Sequence, residues 1–428
     1  MKIIFKCIFF CMMGMSICSA SSAQSSLQLT LKEAQEYAVQ NNKTVRNAGL
    51  SVSRAQKQVW ESISAGLPQA SATLDYQNML GFKMDLFGQS IPLEATSTLQ
   101  AQITQLLFSG SYWVGIKMSR IGEEVSETTR LQSELDARQQ ARSAYLSILV
   151  ALENKAILEN TLKDIQTLAQ NTSEMVKVGV AEQTDADQLT VQVASVTNSI
   201  KTVERGVELA YNLLRFHLGV DINTEIILKE NLHDLISMDA VQTTLTTPFD
   251  MADNYNIRLL DKQVELADKQ IQMAKASALP NISLFYNYTY KLKTSSFDMT
   301  PNNIIGLRAN IPIFASGQRY VQIQQAKIER EIAQNSKDLA NEQLLLQEKQ
   351  LRFNLNSSVE AFNLQKEALE VAQRVLESVT RKYQQGVASS LDVTTANTSL
   401  LQAQGNYISA INGVITAQTD LEKLLNTL

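Results

Sequence analysis

The sequence predicts a mainly α-helical chain built from a duplicated unit, with four β-strands per chain inserted between very long helices. Three observations carry this. Pro and Gly number only 6 and 16 in 428 residues, and scarce punctuators mean long uninterrupted elements instead of a many-turned sandwich. Landmarks recur in order: Gly110 and Gly317 stand 207 positions apart, as do Gly179 and Gly386, and Asp185 and Asp392. Four segments alternate apolar and polar residues with period two, against a seven-residue period elsewhere. With 44% hydrophobic and 19% charged residues there is ample core material. A formal charge of −5 leaves no basic footprint, so no nucleic-acid partner is expected.

Residues 1–23 read as a secretory signal. Lys2 and Lys6 flank an apolar run from Ile3 to Cys18, and Ser21 to Ala23 supply a small-x-small site before a mature start at Gln24. The run is too short for a spanning helix, which needs about 20 residues. All three cysteines (Cys7, Cys11, Cys18) fall inside it, so the exported chain relies on packing or assembly and not on disulfides. Lipidation of Cys18 is disfavoured by the large Ile17 before it.

The first repeat spans 24–219. Thr30 with Glu33 makes a capping box for a helix running to Ser64. Ala65-Gly66-Leu67-Pro68 then opens a strand hairpin over about 68–108. A long helix over about 110–178 follows, ending at Gly179-Val180-Ala181, and a return helix covers about 185–218. Residues 220–247, with Ile226-Ile227-Leu228 and polar clusters, read as a small mixed side layer. The second repeat, 248–428, copies the order. A helix starts at Thr247-Pro248 and runs to Ser277, Ala278-Leu279-Pro280 opens a hairpin over about 280–314, and a long helix covers about 317–385. Gly386-Val387-Ala388 and a return helix over about 391–427 complete it. Leu355, Phe362, Leu369, Leu376 and Tyr383 recur every seven residues, and the shift of 207 maps them onto Ile148, Lys155, Leu162, Ala169 and Val176. At 1.5 Å per residue such a helix reaches roughly 100 Å, more than a globule needs.

The strands are two-faced. Ala70, Ala72, Leu74 and Tyr76 interleave with polar residues, as do Leu99, Ala101 and Ile103. In the second repeat Ile282 to Leu292 and Ile305 to Ile313 do the same. A soluble sheet with one face on a core would also alternate. An exported chain with Tyr-rich apolar faces, and polar faces bearing Asp75, Lys291, Lys293 and Arg308, instead suits lipid outside and a water-filled lumen inside. Four strands cannot close a barrel, so copies must combine: two give 8 strands, three give 12, four give 16.

The order of signal, helix, Leu-Pro strand hairpin, Phe-x-x-Gly, very long helix, Gly-Val-Ala turn and helix, all repeated, resembles the TolC-like outer-membrane efflux protein (outer membrane factor) family. Leu31-Lys32-Glu33-Ala34 through Asn41-Asn42 looks like that family's opening helix. The resemblance implies a homotrimer whose strands share one barrel in the outer-membrane lipid, continued by a helical barrel through the periplasm. It implies an exit duct of an efflux pump or type I secretion system, with a periplasmic adaptor (membrane fusion protein) and an inner-membrane transporter as partners. Gly179, Val180, Ala181, Gly386, Val387 and Ala388 then match the tips that receive the adaptor. Asp185 and Asp392 fall at a periplasmic aperture, with Thr395 where members often carry a second acid. Each Asp near a helix start is also explained locally by the helix dipole. Around a narrowing tube it becomes a ring of like charge that favours cations.

No enzyme is expected. His217 and His233 are the only histidines and form no ligand pair, and no phosphate loop or nucleophile elbow appears, so neither cofactor nor metal is implied. Trp60 and Trp113 fit interface anchors or core packing equally. The competing reading is a non-conducting coiled-coil tether, periplasmic or on the surface, with a soluble sheet cap. Placing Arg at Leu284 or Ile311 separates the two. Membrane assembly is expected to fail on fractionation, whereas a folded, soluble variant would favour the tether.

Overall fold

The computed structural model describes residues 26–86, 89–92, 94–235, 237–294 and 300–428; the expected signal segment, Cys18 included, lies outside them. The chain begins with β1 (Leu27–Leu29), α1 (Leu31–Asn41) and α2 (Lys43–Ser64). Next come β2 (Gln69–Gln77), the short ribbon β3 (Lys83–Leu86) and β4 (Gln89–Pro92), and β5 (Thr96–Ser109). The hairpin of α3 (Gly110–Lys177) and α4 (Gln183–Leu218) leads to β6 (Ile226–Leu228), α5 (Leu232–Leu235) and α6 (Met238–Thr246). The second half holds α7 (Tyr255–Ala276), β7 (Asn281–Lys293), β8 (Asn303–Asn310), α8 (Gln318–Gln384) and α9 (Ser390–Leu424). At 68 and 67 residues, α3 and α8 each span roughly 100 Å.

Asparagine, not the expected caps, sets two helix starts. The helix expected from Thr30 to Ser64 is two helices, broken at Asn42, whose backbone is extended. Its Oδ1 accepts the Thr44 N–H at 2.7 Å and its Nδ2 donates to the His217 carbonyl at 2.8 Å. A short polar side chain that bonds nearby backbone competes with the helix and stops it. In the second repeat α7 starts at Tyr255 instead of Pro248, because Asn254 caps it through the Asn256 N–H at 3.0 Å. A short 3₁₀ turn, Met251–Asp253, precedes that cap. Arg352 draws the carbonyls around Thr247 aside, donating to Thr247 at 2.7 Å and also to Leu245. Asn42 and Asn254 are 212 positions apart, the offset of the Leu-Pro landmarks.

The side layer gains a strand that sequence patterning does not reveal: β1 pairs in parallel with β6, Leu27 opposite Ile226. Tyr145, fully buried on α3, donates to the Leu29 carbonyl at 3.1 Å; burial pushes its hydroxyl up to about 12 and keeps it a neutral donor. The core around this layer gathers Leu29, Ala38, Tyr145, Ile148, Leu214 and Ile411. A second cluster, with Val241, Leu355 and Leu421, locks α6 and α7 to α8 and α9. Between them Arg142 meets Glu422 at 2.7 Å, and Gln418 and Thr244 also bond that carboxylate. Heptad positions Ile148 and Leu355 are fully buried, and Lys155, the polar exception, pairs with Glu204 of α4 at 2.9 Å.

Four strands form one antiparallel sheet in the order β2-β5-β7-β8. Among the described residues no helix is long and apolar enough to cross a membrane. β8 stops at Asn310, so Ile311 and Ile313, expected to continue it, lie beyond the ladder; Pro312 between them has no N–H to extend it.

Asn42→Ala removes both a cap and a tie between α2 and α4. It is expected to lower stability by about 1–2 kcal/mol, read as an earlier unfolding midpoint in denaturant.

Candidate functional site

The sheet inverts the arrangement of a soluble protein. Along β7, Leu284, Tyr286, Tyr288, Tyr290 and Leu292 are exposed, whereas Phe285, Asn287, Thr289 and Lys291 are half-buried. β5 repeats this, with Leu99, Ala101 and Ile103 exposed and Gln100, Gln102 and Thr104 half-buried. Register aligns the rows: Leu74, Leu99 and Tyr290 across three strands, then Ala72, Ala101 and Tyr288, then Ala70, Ile103, Tyr286 and Ile305. Leu74 is 66% exposed and Ile305 72%. A contiguous apolar face of this kind calls for lipid or a partner.

On the opposite face, which is sheltered along β5 and β7, Asp75 and Lys291 flank Thr98 in one row and Arg308 stands opposite Ser283; Lys291 is half-buried, whereas Asp75 and Arg308, on the outer strands, are exposed. The Arg308 guanidinium lies 5.3 Å from the Phe285 ring centre. Phe285 breaks the polar pattern of its face, and Gly306 opposite explains how: a Cβ there would meet the ring at 2.6 Å, so only Gly lets Phe285 fold across. The fourth expected charge is misplaced by alternation. A bulge at Leu292 shifts the register, and Lys293 pairs with Ser97, in the row of Tyr76 on the exposed face. One extra residue reverses the facing of every residue beyond it.

At the other end of the molecule the two hairpins turn identically. α3 runs into Val178 and Gly179, where the Gly179 N–H bonds Val176 and the Val180 N–H bonds Met175. α8 runs into Gln385 and Gly386, with Gly386 bonded to Tyr383 and Val387 to Lys382. This six-to-one closure needs a left-handed residue, and φ is +76° and +72° at the two glycines. Ala181 and Ala388 are half-buried behind the turns, whereas Val180 and Val387 are exposed. Val178 and Leu391, which motif reading passes over, are exposed beside them, so each tip presents apolar side chains to its surroundings.

The two aspartates are equivalent in the repeat but not in space. Asp392 closes a reciprocal cap with Ser389, whose N–H donates to it at 2.8 Å and whose hydroxyl donates at 2.7 Å. Those bonds, the backbone one foremost, hold the Asp392 carboxyl below its ordinary range. Asp185 bonds the Glu182 N–H at 3.3 Å and, through its other oxygen, the Ser390 hydroxyl of the opposite tip. It is half-buried and joins the hairpins, whereas Asp392 is exposed. Thr395 is exposed, with its hydroxyl bonded back to the Leu391 carbonyl at 2.8 Å. Polar pairs also link the hairpins above the tips: Asn397 to Gln192 at 3.0 Å and Gln404 to Thr161 at 2.9 Å.

Residues 34–220 and 251–427 match the profile of the family described as outer membrane efflux protein. The chain belongs to that family. This outer membrane efflux protein is 24% identical to the outer membrane protein TolC of Salmonella enteritidis, over 97% of this chain and 85% of that protein. Its fold is similar to that of CusC, with a TM-score of 0.75 at 17% identity over 92% of this chain and 91% of the other. It is also similar to the outer membrane protein VceC of Vibrio cholerae, with a TM-score of 0.71 at 17% identity over 92% and 95%. The efflux protein resides in the outer membrane and extends into the periplasm.

Other candidates sort simply in this efflux protein. Trp60 and Trp113 are exposed, which removes the core-packing reading for both. His217 is half-buried, and burial lowers its pKa and favours the neutral ring; His233 lies 3.7 Å from Glu153. Among the described residues no group of three or more His, Cys, Asp and Glu is gathered to hold a metal.

A carboxyl with a lowered folded pKa stabilises the fold above its ordinary value and loses that contribution as pH falls through the lowered one. Asp392 is therefore expected to titrate by carbon NMR below its ordinary 3.8, with Ser389→Ala raising the midpoint only part of the way, because the backbone N–H of residue 389 still donates to the carboxylate. An unshifted midpoint in the intact protein would refute the cap as the cause.

Proposed function

We propose that three copies form one outer-membrane exit duct, passing substrates from an inner-membrane transporter through a periplasmic helical tunnel and a shared barrel. The carrying observation is the inverted sheet with two unpaired edges. In lipid every backbone donor and acceptor needs a partner, so the outer edges of β2 and β8 require another chain. β2 and β8 run in opposite directions, so β8 of one copy fits beside β2 of the next as a further antiparallel pair. Three four-stranded sheets supply twelve strands, an even number.

The helices support the same assembly. Ile332, Leu339, Leu346 and Phe353 make an exposed heptad stripe on α8, the face a helix of a second copy would cover. Asp75, Lys291 and Arg308 on the sheltered strand face suit a wet lumen. Val180, Val387 and their exposed neighbours at the tips suit a periplasmic adaptor whose own apolar side chains meet them. Asp392, ionised and exposed, is assigned to the aperture, with Asp185 acting beside it as a tie between hairpins. A coiled-coil tether would have no use for an exposed apolar sheet face.

Separating outer from inner membranes and weighing the detergent-extracted particle tests this. Three chains in the outer-membrane fraction are expected. A soluble monomer would overturn the duct. In planar bilayers the particle should conduct with a cation preference that Asp392→Asn reduces, and equal preference in the variant would remove Asp392 from the aperture.

A further inference from the structure

The bulge at Leu292 gives one lysine a setting that strand alternation denies it. Pairing passes from Thr98 opposite Lys291 to Ser97 opposite Lys293, one step on β5 against two on β7. Lys293 therefore leaves the sheltered row and joins Ser97 and Tyr76. Exposure agrees on β7, since Lys291 is half-buried while Leu292 and Lys293 are both exposed; Ser97, between Tyr76 and Lys293, is half-buried. No described residue engages the Lys293 ammonium by a hydrogen bond or ion pair, unlike Lys291, which donates to the Thr300 carbonyl.

The row sits at one end of the apolar face. Below it lie Leu74, Leu99 and Tyr290, then Ala72, Ala101 and Tyr288. The opposite strand ends lead into α2, α3 and α7, on the periplasmic side, so Tyr76, Ser97 and Lys293 mark the level of the outer leaflet's headgroups. The eleven residues from Ile282 to Leu292 rise about 33 Å along the strand. Tilted by about 45°, that matches the 25 Å apolar band of a membrane barrel.

We infer that Tyr76, Ser97 and Lys293 form a binding site on the outward rim of the sheet for the phosphate of an outer-leaflet lipid. The site rests on the barrel reading above. Lys293 supplies the charge for an ion pair, and the Tyr76 and Ser97 hydroxyls supply two donors in line with it. An exposed ammonium alone holds free phosphate weakly, because water and salt screen it. Acyl chains lying along the two apolar rows beneath supply the remaining binding energy by area burial, which free phosphate lacks. The bulge is thus what turns a lumen charge into a lipid contact, and it fixes the depth of the sheet in the bilayer.

Native mass spectrometry of the full-length, detergent-extracted protein tests this, with lipid A, its dephosphorylated form or inorganic phosphate added. Wild type and Lys293→Arg are expected to retain lipid A, and Lys293→Ser about fivefold to tenfold less, the loss of one charge-assisted bond. Lys291→Ser, facing the lumen, should match wild type. The site is overturned if wild type holds dephosphorylated lipid A or free phosphate as well as lipid A. It is equally overturned if Lys293→Ser retains lipid A fully, or if Lys291→Ser loses it as much. The wild-type comparison of the two lipids decides even where a variant fails to fold. A particle that is not three chains counts against the duct, whereas a three-chain particle indifferent to the phosphate counts against this site alone.

Discussion

The structure depends on one unmet demand: backbone hydrogen bonds along the edges of a four-stranded sheet that shows its apolar side to the surroundings. Water could satisfy those edges, but water is what the apolar face excludes. In the proposed assembly neighbouring copies would resolve the conflict by supplying strand edges, and the helices would follow, since each copy's long hairpins would then stand side by side. The exposed heptad on α8 and the exposed face of the sheet are two expressions of one incomplete surface.

Helix length and helix joints answer the next constraint, which is reach. α3 and α8 continue without a break because their sequences contain almost nothing that stops a helix. Their partners are segmented instead. α4 ends at Gly219, whose left-handed backbone lies so close to Asn41 that a Cβ would sit 2.5 Å from its carbonyl, and α2 begins at once beyond it. A continuous helix is thus matched by two helices stacked end to end, with Asn42 as the joint; in the second repeat Asn254 caps α7 and Asn426, just past α9, donates to the Asp253 carbonyl beside it.

How much of this is legible in the sequence depends on how local each cause is. Period-two strands and helical stretches poor in Gly and Pro are local patterns, so the mainly helical character and the strands between helices are readable directly. Family membership is readable from the order of degenerate landmarks. The joints are less so, because the local cap of Asn42 on Thr44 is joined by a bond to the His217 carbonyl, 175 positions away, that no local pattern announces. β1 is three residues long and exists through its pairing with β6. Lys293 is misread because alternation has no way to announce an extra residue; the bulge is visible only in the pairing with β5. Asp185 and Asp392 look identical in the repeat and differ because Ser390 of one tip reaches across to the other.

Asp392 is charged at neutral pH, and its cap with Ser389, which holds the carboxyl below its usual range, extends that charge further into acid. A permanent charge acts only as far as the ionic atmosphere allows, about 8 Å at physiological salt. In a passage narrower than about twice that length its field fills the whole cross-section, while in a wider one the axis is screened and neutral. Placed at the proposed aperture, the same side chain would be a filter when the passage is tight and electrically silent when it is wide. In the proposed duct charge discrimination and bore width would become a single variable, so a large cargo that dilates the passage would travel through without meeting the sorting that small ions experience.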